Sequence, residues 1–89
     1  MKSFTVKSYW DAYKTLPVDI QNQAEKKYEL WKLNPFYPSL KFKCVNSKEN
    51  IWSVRINMNY RALAAKNGND VIWYWIGDHN KYVQMLSSP

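Results

Sequence analysis

The side chains in this chain best suited to chemistry are a set of cations, Lys41, Lys43, Arg55, Arg61 and Lys81, together with the lone imidazole of His79 and the phenol of Tyr82. Lysine and arginine bind phosphate oxygens by charge and by donated hydrogen bonds. An imidazole changes charge near neutral pH, which is what internal attack by an RNA 2′-hydroxyl requires of a general acid or base. Tyr82 follows His79 by three residues, on the same side of a helix, and offers either a proton or a ring on which a base stacks. Each residue also has an ordinary reading. Cations on the outer face of a sheet keep it soluble and discourage edge pairing, a single histidine near a helix start caps it or faces water, and a tyrosine packs. The informative feature is grouping: Lys41, Lys43, Arg55 and Arg61 are expected on one face with no Asp or Glu among them.

Other chemistries find little support. Cys44 is the only cysteine, so it closes no intramolecular disulfide, and its alternation with Leu40 and Phe42 reads as small core filler. No Gly-rich phosphate loop, metal-ligand cluster or Ser-His-Asp set stands out, so neither a metal nor another cofactor is expected.

The elements that must position these residues follow from periodicity. After an extended start around Phe4 to Lys7, Ser8 and Asp11 read as a capping box opening a helix whose inward face carries Trp10 and Tyr13. Leu16-Pro17 breaks it, with Pro17 suited to the first turn of a second helix. That helix carries Ile20, Ala24, Tyr28 and Trp31 at helical spacing, with Asp19 near its positive end and Lys26, Lys27 and Lys32 toward its negative end, and Asn34-Pro35 stops it. From Pro38 the period becomes two: Leu40, Phe42 and Cys44 alternate with Lys41 and Lys43. A polar turn at 46–50 leads to Trp52, Val54 and Ile56 alternating with Ser53 and Arg55, and Asn57 to Asn59 supply left-handed turn conformations before a strand from Tyr60 to Ala65. Asn67-Gly68 is a strong hairpin signal, and Val71 to Ile76, apolar on both faces, reads as a central strand. Asp78 then caps a short last helix bearing His79, Tyr82, Val83 and Leu86. The pattern predicts an α+β fold in which a helical hairpin packs on one face of a mainly antiparallel, roughly four-stranded twisted sheet, leaving the basic face open.

Composition sets the bounds. Eighty-nine residues are expected to form one domain over 1–89. A hydrophobic fraction of 46% with 17% aromatics excludes a disordered chain. A net charge of +6 favours a polyanionic partner, whether RNA, DNA or an acidic protein. The lone cysteine, the polar start at Met1 to Ser8 and the lack of a long apolar run predict a cytoplasmic protein with no membrane segment.

Taken together, Ser8-Tyr-Trp-Asp-Ala-Tyr13, Leu30-Trp-Lys-Leu-Asn-Pro35, Pro38-Ser-Leu-Lys-Phe-Lys43, Trp52-Ser-Val-Arg55, Tyr60-Arg-Ala-Leu63 and Ile72-Trp-Tyr-Trp-Ile-Gly-Asp-His79 give a chain that resembles the RelE/ParE toxin superfamily over nearly its whole length. The resemblance implies a toxin of a bacterial type II toxin-antitoxin pair, of the kind tied to plasmid stabilisation and held inactive by a cognate antitoxin. RelE-like members cleave mRNA, usually at the ribosome and without a metal; ParE-like members inhibit DNA gyrase by binding. Both readings stay open, as does a non-catalytic remnant. On the RelE side, the resemblance implies that Arg55 stabilises the phosphorane and that Lys41 and Lys43 hold flanking phosphates or assist deprotonation. His79 would protonate the leaving oxygen and Tyr82 stack or donate, while Arg61 and Lys81 bind RNA. The chain lacks the second histidine and the carboxylate on this face that some ribonuclease members carry.

Overall fold

In the computed structural model, which describes residues 1–87, the elements run β1 (Lys2–Thr5), α1 (Lys7–Tyr13), α2 (Val18–Leu33), a 3-10 turn (Pro38–Leu40), β2 (Lys43–Asn46), β3 (Ile51–Asn57), β4 (Tyr60–Asn67), β5 (Asp70–Asp78) and α3 (His79–Ser87). The strands form one sheet in the order β1-β5-β4-β3-β2, antiparallel throughout except that β1 pairs parallel to β5. The α+β architecture is as expected, but the sheet has five strands rather than four. Lys2–Thr5, mostly exposed, carries no alternation of its own and becomes a strand only because β5 offers it a partner.

Helix α2 forms as its apolar stripe predicts, burying Ile20, Ala24 and Trp31. Trp31 is the hub of the core: its ring meets Trp73 at 5.3 Å and Phe42 at 5.6 Å, both edge to face, and stacks on Tyr28 at 6.2 Å. Val54, Ile56, Ala62, Ala64, Val71 and Ile76 complete this layer between the helices and the sheet, and a fully buried Val, Leu or Ile contributes about 1.5–3 kcal/mol.

A register shift in β5 lets one strand serve both faces. Trp75 opposes Leu63 and Trp73 opposes Ala64, so Tyr74 is an extra residue and the two tryptophans fall on opposite sides of the sheet. Trp73 enters the helical core, whereas the Trp75 ring folds across Gly77 on the far side.

Several expectations need correction. No capping box opens α1: Val6 is its N-cap, the Ser8 hydroxyl donates to the Tyr74 carbonyl at 2.7 Å, and Asp11 pairs with Lys7. The inward residues of α1 are Tyr9, Ala12 and Tyr13, while Trp10 is largely exposed, its indole N–H donating to the Thr5 hydroxyl. Pro17 is the N-cap of α2, not a residue of its first turn. Pro38 to Leu40 is a 3-10 turn because Pro38 favours helical φ, and the chain then reverses at Lys41 in the left-handed region (φ 46°), so β2 starts only at Lys43. Cys44 is exposed, since β2 is the sheet's outer edge and its only half-buried residue is Val45. Left-handed residues are absent from 57–59; an Asx turn, with the Asn59 N–H donating to the Asn57 side chain at 2.8 Å, makes that reversal.

The far side of the sheet is only partly open. Helix α3 lies on it, Ser53 and Leu63 retain 2% and 1% exposure, and Tyr82 is buried between them and solvent. Ser53 faces outward from the helical core as the alternation predicts, yet is covered by the last helix.

Candidate nucleic-acid interface

On this second face the cations gather at the end of the sheet that carries the β3–β4 turn. Arg55 and Arg61 are direct cross-strand partners, so their side chains rise on the same side. Their environments differ. The Arg61 guanidinium reaches back over the turn and donates to the carbonyls of Asn57 at 2.6 Å, Tyr60 at 3.0 Å and Met58 at 3.4 Å. Burial lowers its pKa and neighbouring Arg55 lowers it further, with Tyr82 acting in the opposite sense, but a guanidinium stays charged throughout. Arg61 is thus largely committed to holding the turn. Arg55 is half-buried, and no hydrogen bond or ion pair joins its side chain to another described residue.

His79 is brought to the same end by backbone. Its N–H donates to the Asn59 carbonyl at 2.7 Å, tying the start of α3 to the β3–β4 turn. Asp78 caps α3 as expected, accepting from the Lys81 N–H at 2.9 Å. The His79 side chain is exposed, with its ring 5.6 Å from that of Tyr82. Tyr82 is only 8% exposed and its hydroxyl lies 3.4 Å from Ser53 Oγ. A ring so placed is a packing anchor that positions His79 and offers no face to a base. Lys81 is exposed on α3.

The two lysines ahead of β3 separate. Lys43 opposes Ser53, two residues from Arg55, and so stands exposed on the same face as Arg55. Lys41 precedes the strand and lines, with Arg55, an open groove of about 420 Å³ whose other walls are Gln23, Lys27, Ser39, Ile56, Asn57 and Met58. No carboxylate lines it. Lys27 was assigned above only to the helix end; its signal was spacing, since Gln23 and Lys27 lie four apart, beside the buried stripe of α2. Arg55 is therefore the shared residue of two arrangements, one with Arg61, Tyr82 and His79, the other with Lys41 and Lys27. Such a surface can bind and polarise phosphate. Among the described residues no group of His, Cys, Asp and Glu is arranged to hold a metal ion, and no helix is long and apolar enough to cross a membrane.

The fold has solved counterparts. The chain superposes on the YoeB/ParE toxin from Agrobacterium tumefaciens with a TM-score of 0.66 at 20% identity, covering 89% of this chain and 99% of that one. It superposes on a chain of the RelB-RelE antitoxin-toxin complex from Methanococcus jannaschii at 0.69 and 19%, covering 92% and 96%. YafQ from E. coli gives 0.72 at 9%, covering 91% and 96%. No curated protein matches in sequence. The family model for the ParE-like toxin domain matches residues 18–84, from the start of α2 into α3 and so across the whole cationic end of the sheet. The chain belongs to the ParE-like toxin domain family, and with it to the RelE/ParE toxin superfamily.

Proposed function

We propose that this toxin is a metal-independent endoribonuclease that cuts translated mRNA at the ribosome. The observation that carries the reading is Arg55: a guanidinium that no other described residue engages by hydrogen bond or ion pair, flanked by Arg61 and by the Lys41 groove, which no carboxylate lines, at the end of the sheet that also carries the only imidazole. In this reading the 2′-oxygen attacks the adjacent phosphorus, the P–O5′ bond breaks, and the charge that builds on the phosphoryl oxygens is met by Arg55. His79, as imidazolium, gives its proton to the leaving 5′-oxygen. Lys43 and Lys41 hold the flanking phosphates or assist removal of the 2′-proton, and Arg61 keeps the turn in place beneath them. Tyr82 fixes α3, and Lys81 adds charge along the RNA path.

The toxin is further proposed to work in the cytoplasm and to be neutralised by a cognate antitoxin. RelE of Methanococcus jannaschii was solved with RelB, and the +6 charge here suits an acidic partner segment. The test is to map mRNA 5′ ends after brief induction of wild type, Arg55→Ala and His79→Ala at matched soluble levels. New codon-phased ends that vanish in both variants are expected. Arrested growth with intact mRNA would reject cleavage and favour inhibition of DNA gyrase by binding.

A further inference from the structure

The groove beside Arg55 has features that simple solubility does not require. The Asn57 side-chain amide donates to Gln23 Oε1 at 2.7 Å, while Asn57 Oδ1 accepts from the Asn59 N–H. Each of these oxygens thereby already accepts one hydrogen bond, while the Gln23 amide nitrogen, bonded to no described residue, presents its donors. With Lys27, Lys41 and Arg55 on the walls, the polar side chains other than Ser39 offer the groove mainly N–H groups. Of the three α2 carboxylates, Glu25 accepts from the Tyr13 hydroxyl at 2.8 Å, Glu29 pairs with Lys32 at 2.9 Å, and Asp19, one turn before Gln23, does not line the groove. Lys41, moreover, holds a left-handed backbone (φ 46°), a conformation unfavourable for a residue with a Cβ and found most often where position matters more than stability. The pairing of β2 with β3 stops at Ser53, so the groove opens along the edge from Arg55 to Asn57 that β2 does not cover, with Met58, 73% exposed, at its rim.

We infer that Lys27, Gln23 and Lys41 form a second phosphate subsite next to the reactive phosphate held by Arg55, and that it takes a neighbouring phosphodiester of the same RNA strand. The inference rests on the ribonuclease reading. A donor-rich groove matches a ligand whose charged oxygens only accept, and a phosphodiester chain is the ligand that reaches Arg55 and the subsite at one fixed short spacing. Lys27 and Gln23 are positioning residues: they act on where the strand lies and take no part in bond making.

Fluorescence anisotropy of a single-stranded, uniformly 2′-O-methylated RNA, which cannot be cut, separates binding from cleavage. Titrations of wild type, Lys27→Gln and Lys41→Gly over a range of salt should show each variant binding about fivefold more weakly. The slope of log affinity against log salt should fall by about 0.7 for each lost phosphate contact. Lys14→Gln, at the end of α1, outside the groove and paired with Asp11, should leave that slope unchanged. Lys41→Gly relieves the left-handed backbone, so weaker binding with an equal or higher Tm excludes misfolding as the cause. Tight binding with slopes unchanged in Lys27→Gln and Lys41→Gly overturns the subsite, and cleavage of unmodified RNA by wild type then keeps the ribonuclease reading intact. Failure of wild type to bind the RNA overturns the subsite and counts against the ribonuclease reading too, whereas displacement of bound RNA by a poly-glutamate peptide of equal charge at equal concentration overturns the subsite alone and makes the groove a surface for an acidic protein segment.

Discussion

Arg55 and Arg61 face each other across β3 and β4, two positive charges at one cross-strand position, and of the two side chains only that of Arg61 is hydrogen-bonded to a described residue. Like charges so placed destabilise a sheet, by about 0.2–1 kcal/mol. Replacing Arg55 by Gln should therefore raise the thermal midpoint by about 1–5 °C, with the gain shrinking as salt screens the pair. The same variant should lose at least about a hundredfold in RNA cleavage. Differential scanning fluorimetry and a single-turnover cleavage assay check the two halves; a destabilised Arg55→Gln would mean that the guanidinium supports the fold.

Tyr82 gives the opposite pattern. Its ring is buried while its hydroxyl makes only a long contact with Ser53. Tyr82→Phe should change unfolding free energy by less than about 1 kcal/mol and leave cleavage within a few-fold of wild type. Tyr82→Ala should cost about 3–5 kcal/mol and free α3 from the sheet. Urea unfolding of both variants, with cleavage measured alongside, separates an anchor from a proton donor.

Gly77 lies under the Trp75 ring, and a Cβ added there would fall inside contact distance of that ring's carbons. Gly77→Ala should lower stability by about 1–3 kcal/mol by forcing Trp75 off its seat. The change should register in tryptophan fluorescence as well as in the urea midpoint.

Alkaline pH should weaken the junction between α1 and α2. Burial, joined by the neighbouring Tyr13, pushes the Tyr9 phenol up to about 12; burial and the hydrogen bond to Glu25 push that of Tyr13 up to about 12 as well. Both lie above the unfolded value of 10.0, so the stability they contribute is fully present below about pH 10 and is lost as pH rises toward about 12. Unfolding midpoints taken across that window should decline, and Tyr9→Phe should flatten the decline. A midpoint independent of pH over the same range would contradict the burial of these phenols.

Where one element's own residues decide its form, the sequence was readable. The apolar stripe of α2, the alternation through Trp52 to Ile56, the Asn67-Gly68 turn with its φ of +60° at Gly68, and the Asp78 cap all appear as expected. Arg55 and Arg61 were expected on one face, and they lie there, though that they stand directly opposite each other was not read. What escaped depends on partners distant in sequence. Lys2–Thr5 becomes a strand through β5, nearly seventy residues later, and the Ser8 hydroxyl is claimed by Tyr74 rather than by its own helix. Lys27 joins the site only because α2 is laid beside the 3-10 turn and β3. The extent to which α3 covers Ser53 and Leu63 was likewise invisible, because nothing in the alternation of β3 and β4 distinguishes water from another helix above them.

The junction of His79 with the β3–β4 turn also bears on timing. Asn59 receives the His79 N–H, so the imidazole takes its place only when the segment following all five strands has docked. During synthesis those strands emerge first, and until α3 arrives Ser53 and Leu63 lie open and no imidazole stands near Arg55. On the ribonuclease reading, the strands alone hold the cations without a general acid, and the docking of α3 is the step that supplies one.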